Sequence, residues 1–212
     1  MVALNLQHVY DAQAYLKSAG IKCVVTGDVG LAYHGVDVAI FNLELCVPDV
    51  DRVHAAKLLQ ARKTQYRTLP DLDDPDFYHP YKKGASRCQI RSISPTFELH
   101  IVSDKALGMN LDAIDCEESK ADTSQMHPEI RGLCHGVSNE VLSSITWTRL
   151  SAFVNGWLQL AVLHHGEETQ LVFLMEAERL MDASRIDQTW CMKHIDDEER
   201  LSIATQLVRK ND

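Results

Sequence analysis

The chain has 212 residues and a mass of 23.9 kDa, which is enough for one domain with a full core, or for a domain with a small helical extension. Its 45% hydrophobic and 24% charged residues are typical of a globular protein and exclude extensive disorder. The formal net charge of −9 provides no general basic field for a phosphate backbone, so we expect no non-specific nucleic-acid binding.

The sequence indicates neither membrane insertion nor secretion. The longest apolar stretch, near residues 150–163, is interrupted by polar residues and is too short to cross a bilayer. The N-terminal segment is amphipathic and lacks the basic start and apolar block of a secretion signal. The six cysteines, at positions 23, 46, 88, 116, 134 and 191, form no CxxC pair. We therefore expect a cytoplasmic protein with reduced thiols and no membrane partner.

The front of the chain alternates between helical and strand periodicity. In order, the pattern predicts a helix at residues 5–18, a strand at 22–26, a glycine turn and short helix at 27–35, a strand at 40–47 ended by a proline, and a helix at 48–63. The acidic residues Asp49 and Asp51 suit the positive end of that last helix.

Residues 66–84 contain three prolines and four aspartates among aromatic residues. Proline and aspartate favour turns, so we interpret this stretch as an exposed loop with little regular structure. An acidic loop of this kind could bind a cation, but its spacing does not resemble a calcium loop.

Two strands at residues 86–93 and 96–103 are predicted to form a hairpin. On the second strand, Glu98, His100 and Val102 point to one face, and Phe97, Leu99 and Ile101 to the other. Residues 108–145 carry no clear periodicity. Amphipathic patterns then predict helices within residues 147–165, 167–184 and 196–210.

Polar residues on two predicted strands could converge next to the glycine turn. Asn42 and Glu44 are one residue apart on a strand and therefore share a face. Glu98 and His100 do the same on a later strand, and a glycine turn leaves backbone N–H groups free for phosphate oxygens. Carboxylates that converge in this way are a common means of holding two magnesium ions for phosphoryl transfer.

This layout resembles the front of the nucleotidyltransferase superfamily, the polymerase beta-like fold. The family's glycine turn aligns with Gly27 and Asp28, its Asp-x-Asp strand with the segment from Asn42 to Glu44, and its third acid with Glu98 or His100. The later stretch TRLSAFVNGWL also resembles the family's helical tail.

The resemblance implies an α+β fold, with a small mixed sheet flanked by helices and followed by a C-terminal helical tail. It implies a core at residues 1–135 and a helical tail at 136–212 packed on that core.

Two departures from the family pattern weaken the usual chemistry. Asn42 is a neutral amide where the family has a carboxylate, and Asp28 adds a negative charge where triphosphate oxygens would lie. Magnesium depends on few, well-placed hard oxygens, so we expect neither a metal nor a cofactor. The hypothesis is a degenerate nucleotidyltransferase, either a pseudoenzyme that binds a ligand or protein partner, or an enzyme repurposed for a metal-independent transfer.

The resemblance assigns roles to six residues under this hypothesis. The catalytic candidates are Glu44, Glu98 and His100, of which the last two could form a proton-transfer pair. The ligand-binding candidates are Gly27, Asp28 and Asn42, around a small-molecule ligand in the cleft.

Two other functions are left open. One is an active nucleotidyltransferase that moves a nucleoside monophosphate to a small molecule, protein or tRNA, with Mg²⁺ and the triphosphate held by Glu44, Asp28 and Glu98. The other is an interaction module that forms a homodimer through its C-terminal helices.

The expected cleft has a definite geometry. Asn42 and Glu44 should face the cleft, whereas Phe41, Leu43 and Leu45 should enter the core. We also expect the catalytic candidates to be solvent-exposed, so that Glu44→Gln or His100→Ala would abolish activity with little effect on stability. The alternative is that Asn42 and Glu44 are simply solvent-facing residues of an edge strand.

Overall fold

The computed structural model describes residues 5–75, 77–93, 97–112, 117–118 and 128–208. Its strands are β1 Val24–Thr26, β2 Asn42–Val47, β3 Tyr66–Leu72, β4 Ala85–Ile90, β5 Glu98–Ser103, β6 Glu117–Glu118 and β7 Thr146–Trp147. Its helices are α1 Leu6–Ser18, α2 Gly27–Tyr33, α3 Arg52–Ala61, α4 Pro128–Leu133, α5 Asn139–Ser144, α6 Leu150–Leu163, α7 Glu168–Ala183, α8 Gln188–His194 and α9 Glu198–Val208.

The described strands form one mixed sheet in the order β3-β4-β5-β2-β1-β7-β6. The central pair, β2 and β5, is parallel, and β1 also runs parallel to β7. The other neighbouring pairs are antiparallel, including the predicted hairpin of β4 and β5. The α+β class with a mixed sheet is confirmed.

Both faces of the sheet are covered by apolar side chains, as the alternation along β2 requires. Leu43 and Leu45 belong to a cluster that includes residues of α1 and α3. Cys46, on the opposite face, belongs to a cluster that includes residues of α6, α7 and α9. Polar residues that share the face of Cys46 therefore lie beneath the C-terminal helices.

The C-terminal segment is also tied to the sheet through β7. The side chain of Gln13 on α1 donates from Nε2 to the carbonyl of Thr146 at 2.8 Å, and its Oε1 accepts from the Thr146 N–H at 3.1 Å. The division at residue 135 into a core and a tail stays a prediction.

The interpretation of residues 66–84 as an irregular loop is wrong. Residues Tyr66–Leu72 form the edge strand β3, which pairs with β4. The register shifts between Leu69 and Leu72, and Pro70 lies inside this irregularity. An edge strand with a bulge tolerates a proline, because that residue does not have to donate to the ladder. A 3₁₀ turn at Pro80–Lys82 then precedes β4.

Other predictions have mixed outcomes. The three long C-terminal helices are confirmed as α6, α7 and α9, whereas α8 was not predicted. Phe41 does not enter the core; it is 67% exposed, because β2 begins one residue later. Cysteines 23, 46, 88, 134 and 191 are not in disulfide bonds, and Cys116 lies outside the described residues. Across the described ranges, no helix is both long enough and apolar enough to span a membrane.

Candidate functional site

The turn from β1 into α2 lies directly against the carboxylate of Glu44. Gly27 has a φ of 61°, in the left-handed region that favours glycine. A Cβ at this position would also collide with the Glu44 carboxylate. The sequence therefore needs glycine here for two reasons, backbone conformation and close approach.

Glu44 is an internal, neutralised carboxylate. The residue is 1% exposed, and Lys82 Nζ lies 2.8 Å from its Oε1. The hydroxyl of Tyr81 donates to Oε2 at 3.0 Å. Burial and the nearby Glu44 raise the pKa of Tyr81 well above its ordinary value, so the phenol remains a hydrogen-bond donor.

Glu98 is held by a second set of partners. Arg87 donates to it through Nε and Nη2, both at 2.8 Å, in a bidentate pair. His100 Nε2 lies 2.9 Å from Glu98 Oε2. The hydrogen bonds from Arg87, and then those from His100, lower the pKa of Glu98 despite its partial burial.

His100 is 4% exposed, and this burial lowers its pKa although Glu98 and Glu44 act in the opposite direction. Its Nδ1 is buried and has no hydrogen-bond partner within the described ranges. The geometry therefore favours a neutral imidazole at this position.

Asp28, in the first turn of α2, is the third carboxyl group of the region. It is 5% exposed. Burial, followed by the charge of Glu44, raises its pKa, whereas the charges of Lys82 and His79 and a hydrogen bond with the backbone of Phe41 lower it. A positive charge nearby would therefore be favourable for this carboxylate.

The structure brings the predicted site residues together. In the parallel pairing of β2 with β5, Asn42 is opposite Glu98, and Glu44 is opposite His100. The expectation that the catalytic candidates are exposed is wrong for Glu44 and His100, which are 1% and 4% exposed. The segment with Tyr81 and Lys82 and the turn at Gly27 lie against Glu44. The assigned roles stay predictions.

Sequence reasoning missed three residues that contact the predicted site: Tyr81, Lys82 and Arg87. Lys82 belongs to a PYKKG segment, which has the composition of a solvated turn, and no local pattern reveals its burial. The position of Arg87 beside Glu98, in contrast, could have been predicted from the pairing of the two strands. It pairs with His100 in the β4–β5 register, so its side chain lies beside that of Glu98 two residues earlier on β5.

A cavity of about 240 Å³ adjoins this cluster. One wall comes from α2 and the segment before β2, and another from the turn that precedes Lys82. The remaining wall comes from α6 and α7. The lining residues are Asp28, Leu31, Val38, Ala39, Phe41, Tyr78, His79, Tyr81, Trp157, Glu176 and Arg179.

These residues do not fit the paired magnesium ions that the family resemblance implies. Glu44 is neutralised by Lys82, and Glu98 by Arg87. Asn42 is an amide and supplies no charge. Among the residues that the structure describes, no group of three or more His, Cys, Asp or Glu side chains could hold a metal ion.

Comparison with known proteins places the fold. No protein-family model and no curated protein matches the sequence. An antigenic nucleotidyltransferase-like protein from Paracoccidioides brasiliensis superimposes with a TM-score of 0.53, at 8% identity, over 97% of this chain and 87% of that chain. The chain has a nucleotidyltransferase-like fold.

Two other solved structures were found with lower scores. ANT(2")-Ia in complex with adenylyl-2"-tobramycin gives a TM-score of 0.46 at 10% identity, with 97% of each chain covered. Terminal uridylyl transferase 4 from Trypanosoma brucei with bound GTP gives 0.34 at 11% identity, over 97% of this chain and 64% of that chain. The nucleotidyltransferase-like fold predicted from the glycine turn and the strand with Glu44 is confirmed.

Proposed function

We propose that this protein is a nucleotidyltransferase-like pseudoenzyme, which binds a small-molecule ligand in its cleft and does not use magnesium with a nucleoside triphosphate. The observation that carries the proposal is the ion pair between Lys82 and Glu44. Their N–O distance is 2.8 Å, and their side chains are 5% and 0% exposed. A cation that is part of the chain thus neutralises the carboxylate that the resemblance assigns to metal binding.

Displacing this internal cation is energetically unfavourable. Removing one partner of a buried ion pair leaves an uncompensated charge and costs about 3–5 kcal/mol. A metal ion at Glu44 would also compete with the hydrogen bond from Tyr81. Magnesium loses its hydration water reluctantly, so it is a poor competitor for an oxygen that is already paired.

The remaining acidic groups support the same proposal. Glu98 is paired with Arg87 and His100. Asp28 is buried next to Glu44 and would repel the phosphate oxygens of a triphosphate. Residues of the chain itself therefore pair with the carboxylates on the sheet face that carries Glu44 and Glu98. The adjoining cavity stays available to a ligand.

The alternatives require rearrangements that no described contact favours. An active nucleotidyltransferase with a cage of Glu44, Asp28 and Glu98 needs Glu44 and Glu98 to leave their cationic partners. A metal-independent transfer through the predicted pair of Glu98 and His100 needs His100 to reach the cavity, and His100 is not among the lining residues. The homodimer through the C-terminal helices stays a prediction.

Thermal unfolding with and without Mg²⁺ tests the proposal. We expect ATP, GTP, CTP and UTP to give the same melting temperature at millimolar concentration whether or not magnesium is present, since only a ligand that binds the native state raises it. A magnesium-dependent rise of more than about 2 °C with any triphosphate contradicts the pseudoenzyme function.

A gain-of-binding variant provides the positive control. The single change Asn42→Asp is expected to have no effect on magnesium binding, because Lys82 still neutralises Glu44. The double variant Asn42→Asp with Lys82→Ala places two carboxylates without the internal ammonium on one strand face and should acquire magnesium-dependent stabilisation. If the single variant already binds magnesium, the internal lysine is not what blocks the site.

A further inference from the structure

The cavity beside Asp28 is lined by two carboxylates, those of Asp28 and Glu176, by the guanidinium of Arg179 and by the imidazole of His79. The charges of Lys82 and His79 also act on Asp28. Arg179 already has two partners within the chain. Its Nη1 lies 2.9 Å from Glu176 Oε1, and its Nη2 donates to the carbonyl of Asp37 at 3.3 Å. Glu176 Oε2 is buried and has no hydrogen-bond partner in the described part of the chain. Two carboxylates with one guanidinium among the lining residues thus favour a cation over an anion.

Aromatic side chains supply much of the remaining lining. Phe41 and Tyr78 are 67% and 61% exposed and lie at the open side. Tyr81 and Trp157 are buried and pack edge to face, with ring centroids 5.2 Å apart. Lys82 already lies over the Tyr81 ring, and Trp157 stacks on Phe173. The exposed rings, Phe41 and Tyr78, therefore supply the ring faces, whose partial negative charge favours an organic cation.

One donor in the cavity wall has no partner. Trp157 is 2% exposed, and its Nε1–H makes no hydrogen bond to any described residue. This nitrogen is closed to water as well, so its N–H is a reporter in the cavity wall and not a contact for a ligand atom. The volume of about 240 Å³ is below the usual range for drug-sized ligands and suits a small metabolite.

From these features together, we propose that the cavity binds a small organic cation, an amine or a quaternary ammonium compound. The cation lies between the aromatic rings and the two carboxylates, Asp28 and Glu176, next to the wall that contains Trp157. This inference rests on the proposed function, because it requires a cleft that takes a ligand without magnesium and a triphosphate.

Choline and its neutral and anionic isosteres test the charge preference. We would titrate the full chain, without magnesium, with choline, neohexyl alcohol and the anion of tert-butylacetic acid. The signal is the indole N–H of Trp157 in proton–nitrogen correlation spectra, assigned with Trp157→Phe; the chain has three tryptophans. Choline should shift this signal saturably, and neohexyl alcohol should bind at least about tenfold more weakly.

Two variants locate the binding site. Phe41→Ala should weaken choline binding by about two- to fivefold, the factor expected when one partly exposed cation–π contact is lost. Glu176→Gln should weaken it further, because it removes a charge that faces the ligand. Leu171→Ala is the matched control, since Leu171 is 60% exposed on the same helix as Glu176 but does not line the cavity.

The outcomes separate the two proposals. Equal binding of choline and neohexyl alcohol, tighter binding of the anion, or no saturable shift with choline overturns the cation site. If that failure is accompanied by no magnesium-dependent effect of triphosphates, the pseudoenzyme function still stands. A Trp157 shift that requires both magnesium and a triphosphate overturns both proposals.

Discussion

The ion pairs Lys82–Glu44 and Lys105–Asp49 have similar N–O distances, 2.8 and 3.0 Å, but opposite exposure. In the first pair the side chains are 5% and 0% exposed, and in the second they are 75% and 39% exposed. Water screens the second pair and leaves the first almost unscreened. The same chemical contact should therefore have very different energetic weight at the two sites.

Replacing Lys82 tests this difference. We expect Lys82→Met to lower the free energy of unfolding by about 3–5 kcal/mol, because Glu44 is left buried without a counterion. Lys105→Met, the matched control, should change it by no more than about 0.5 kcal/mol. Urea unfolding measures both. The double variant Lys82→Met with Glu44→Gln should recover much of the loss; if it is no more stable than Lys82→Met, the loss does not come from an unpaired carboxylate.

Replacing Asp28 should raise the free energy of unfolding, whereas replacing Lys82 should lower it. Burial and Glu44 raise its pKa above the ordinary 3.8, so the folded state binds this proton more tightly than the unfolded state. The stability that the protonated form contributes is present below pH 3.8 and is lost as the pH rises through the folded pKa.

Asp28→Asn should therefore stabilise the protein at pH 7, by about 0.5–2 kcal/mol, and the gain should shrink at acidic pH. The measurement is urea unfolding of both proteins across this pH range. The asparagine oxygen can still accept from the backbone of Phe41, so the substitution isolates the charge. A variant less stable than the wild type at pH 7 would show that the Asp28 charge is compensated in the folded state.

At the scale of elements, the turn between β1 and α2 requires glycine for two reasons. One is its backbone conformation, and the other is its contact with β2. Gly20 and Gly27 both have positive φ, 79° and 61°. A Cβ at Gly20 would have nothing within 4 Å, whereas one at Gly27 would collide with Glu44 on β2. Substitutions at these two glycines therefore distinguish the cost of backbone strain from the cost of steric crowding.

We expect Gly20→Ala to cost about 1–2 kcal/mol from the left-handed conformation alone. Gly27→Ala should cost about 2–5 kcal/mol, because overpacking against Glu44 adds to the same strain. Thermal or urea unfolding of the two variants gives the comparison. If both variants lose the same free energy of unfolding, the turn can move away from β2 without an energetic cost.

The sequence predicts elements well where a single periodicity dominates. Leu43 and Leu45 alternate with polar residues, so the strand and its two faces were predictable. The edge strand β3 was missed because Pro70 and its neighbouring aspartates have turn composition, and the bulge that accommodates them depends on pairing with β4. The short helix α8 was also missed, and its seven residues span too few turns for a strong periodic signal.

The candidate site shows the same limit more sharply. Asn42, Glu44, Glu98 and His100 could be placed together because strand alternation decides which face each occupies. The burial of Lys82 could not be predicted, since it depends on where a distant turn lies relative to β2. Long-range contacts of this kind leave no trace in local spacing.

At the scale of the whole molecule, acid titration should reveal the site beneath the C-terminal helices. Burial lowers the pKa of His100, so the folded state disfavours its charged form, and the corresponding stability is present above the ordinary pKa of 6.5 and is lost as the pH falls below it. Glu98 acts in the same direction at lower pH. Its lowered pKa means that its contribution is present above 4.5 and is lost as the pH falls through the folded pKa.

We therefore expect the free energy of unfolding to fall between pH 7.5 and pH 5, over about the window in which His100 would gain its proton in the unfolded chain. His100→Gln keeps a donor for Glu98 but cannot titrate, so its stability should fall less steeply over this range.

His135→Gln is the control, because that side chain is exposed. Urea unfolding at low protein concentration is the measurement, since the sequence pI of about 5.5 lies inside the range and favours association there. A profile for His100→Gln as steep as that of the wild type would mean that the folded and unfolded states protonate His100 equally, so that the pair with Glu98 balances the burial of the imidazole.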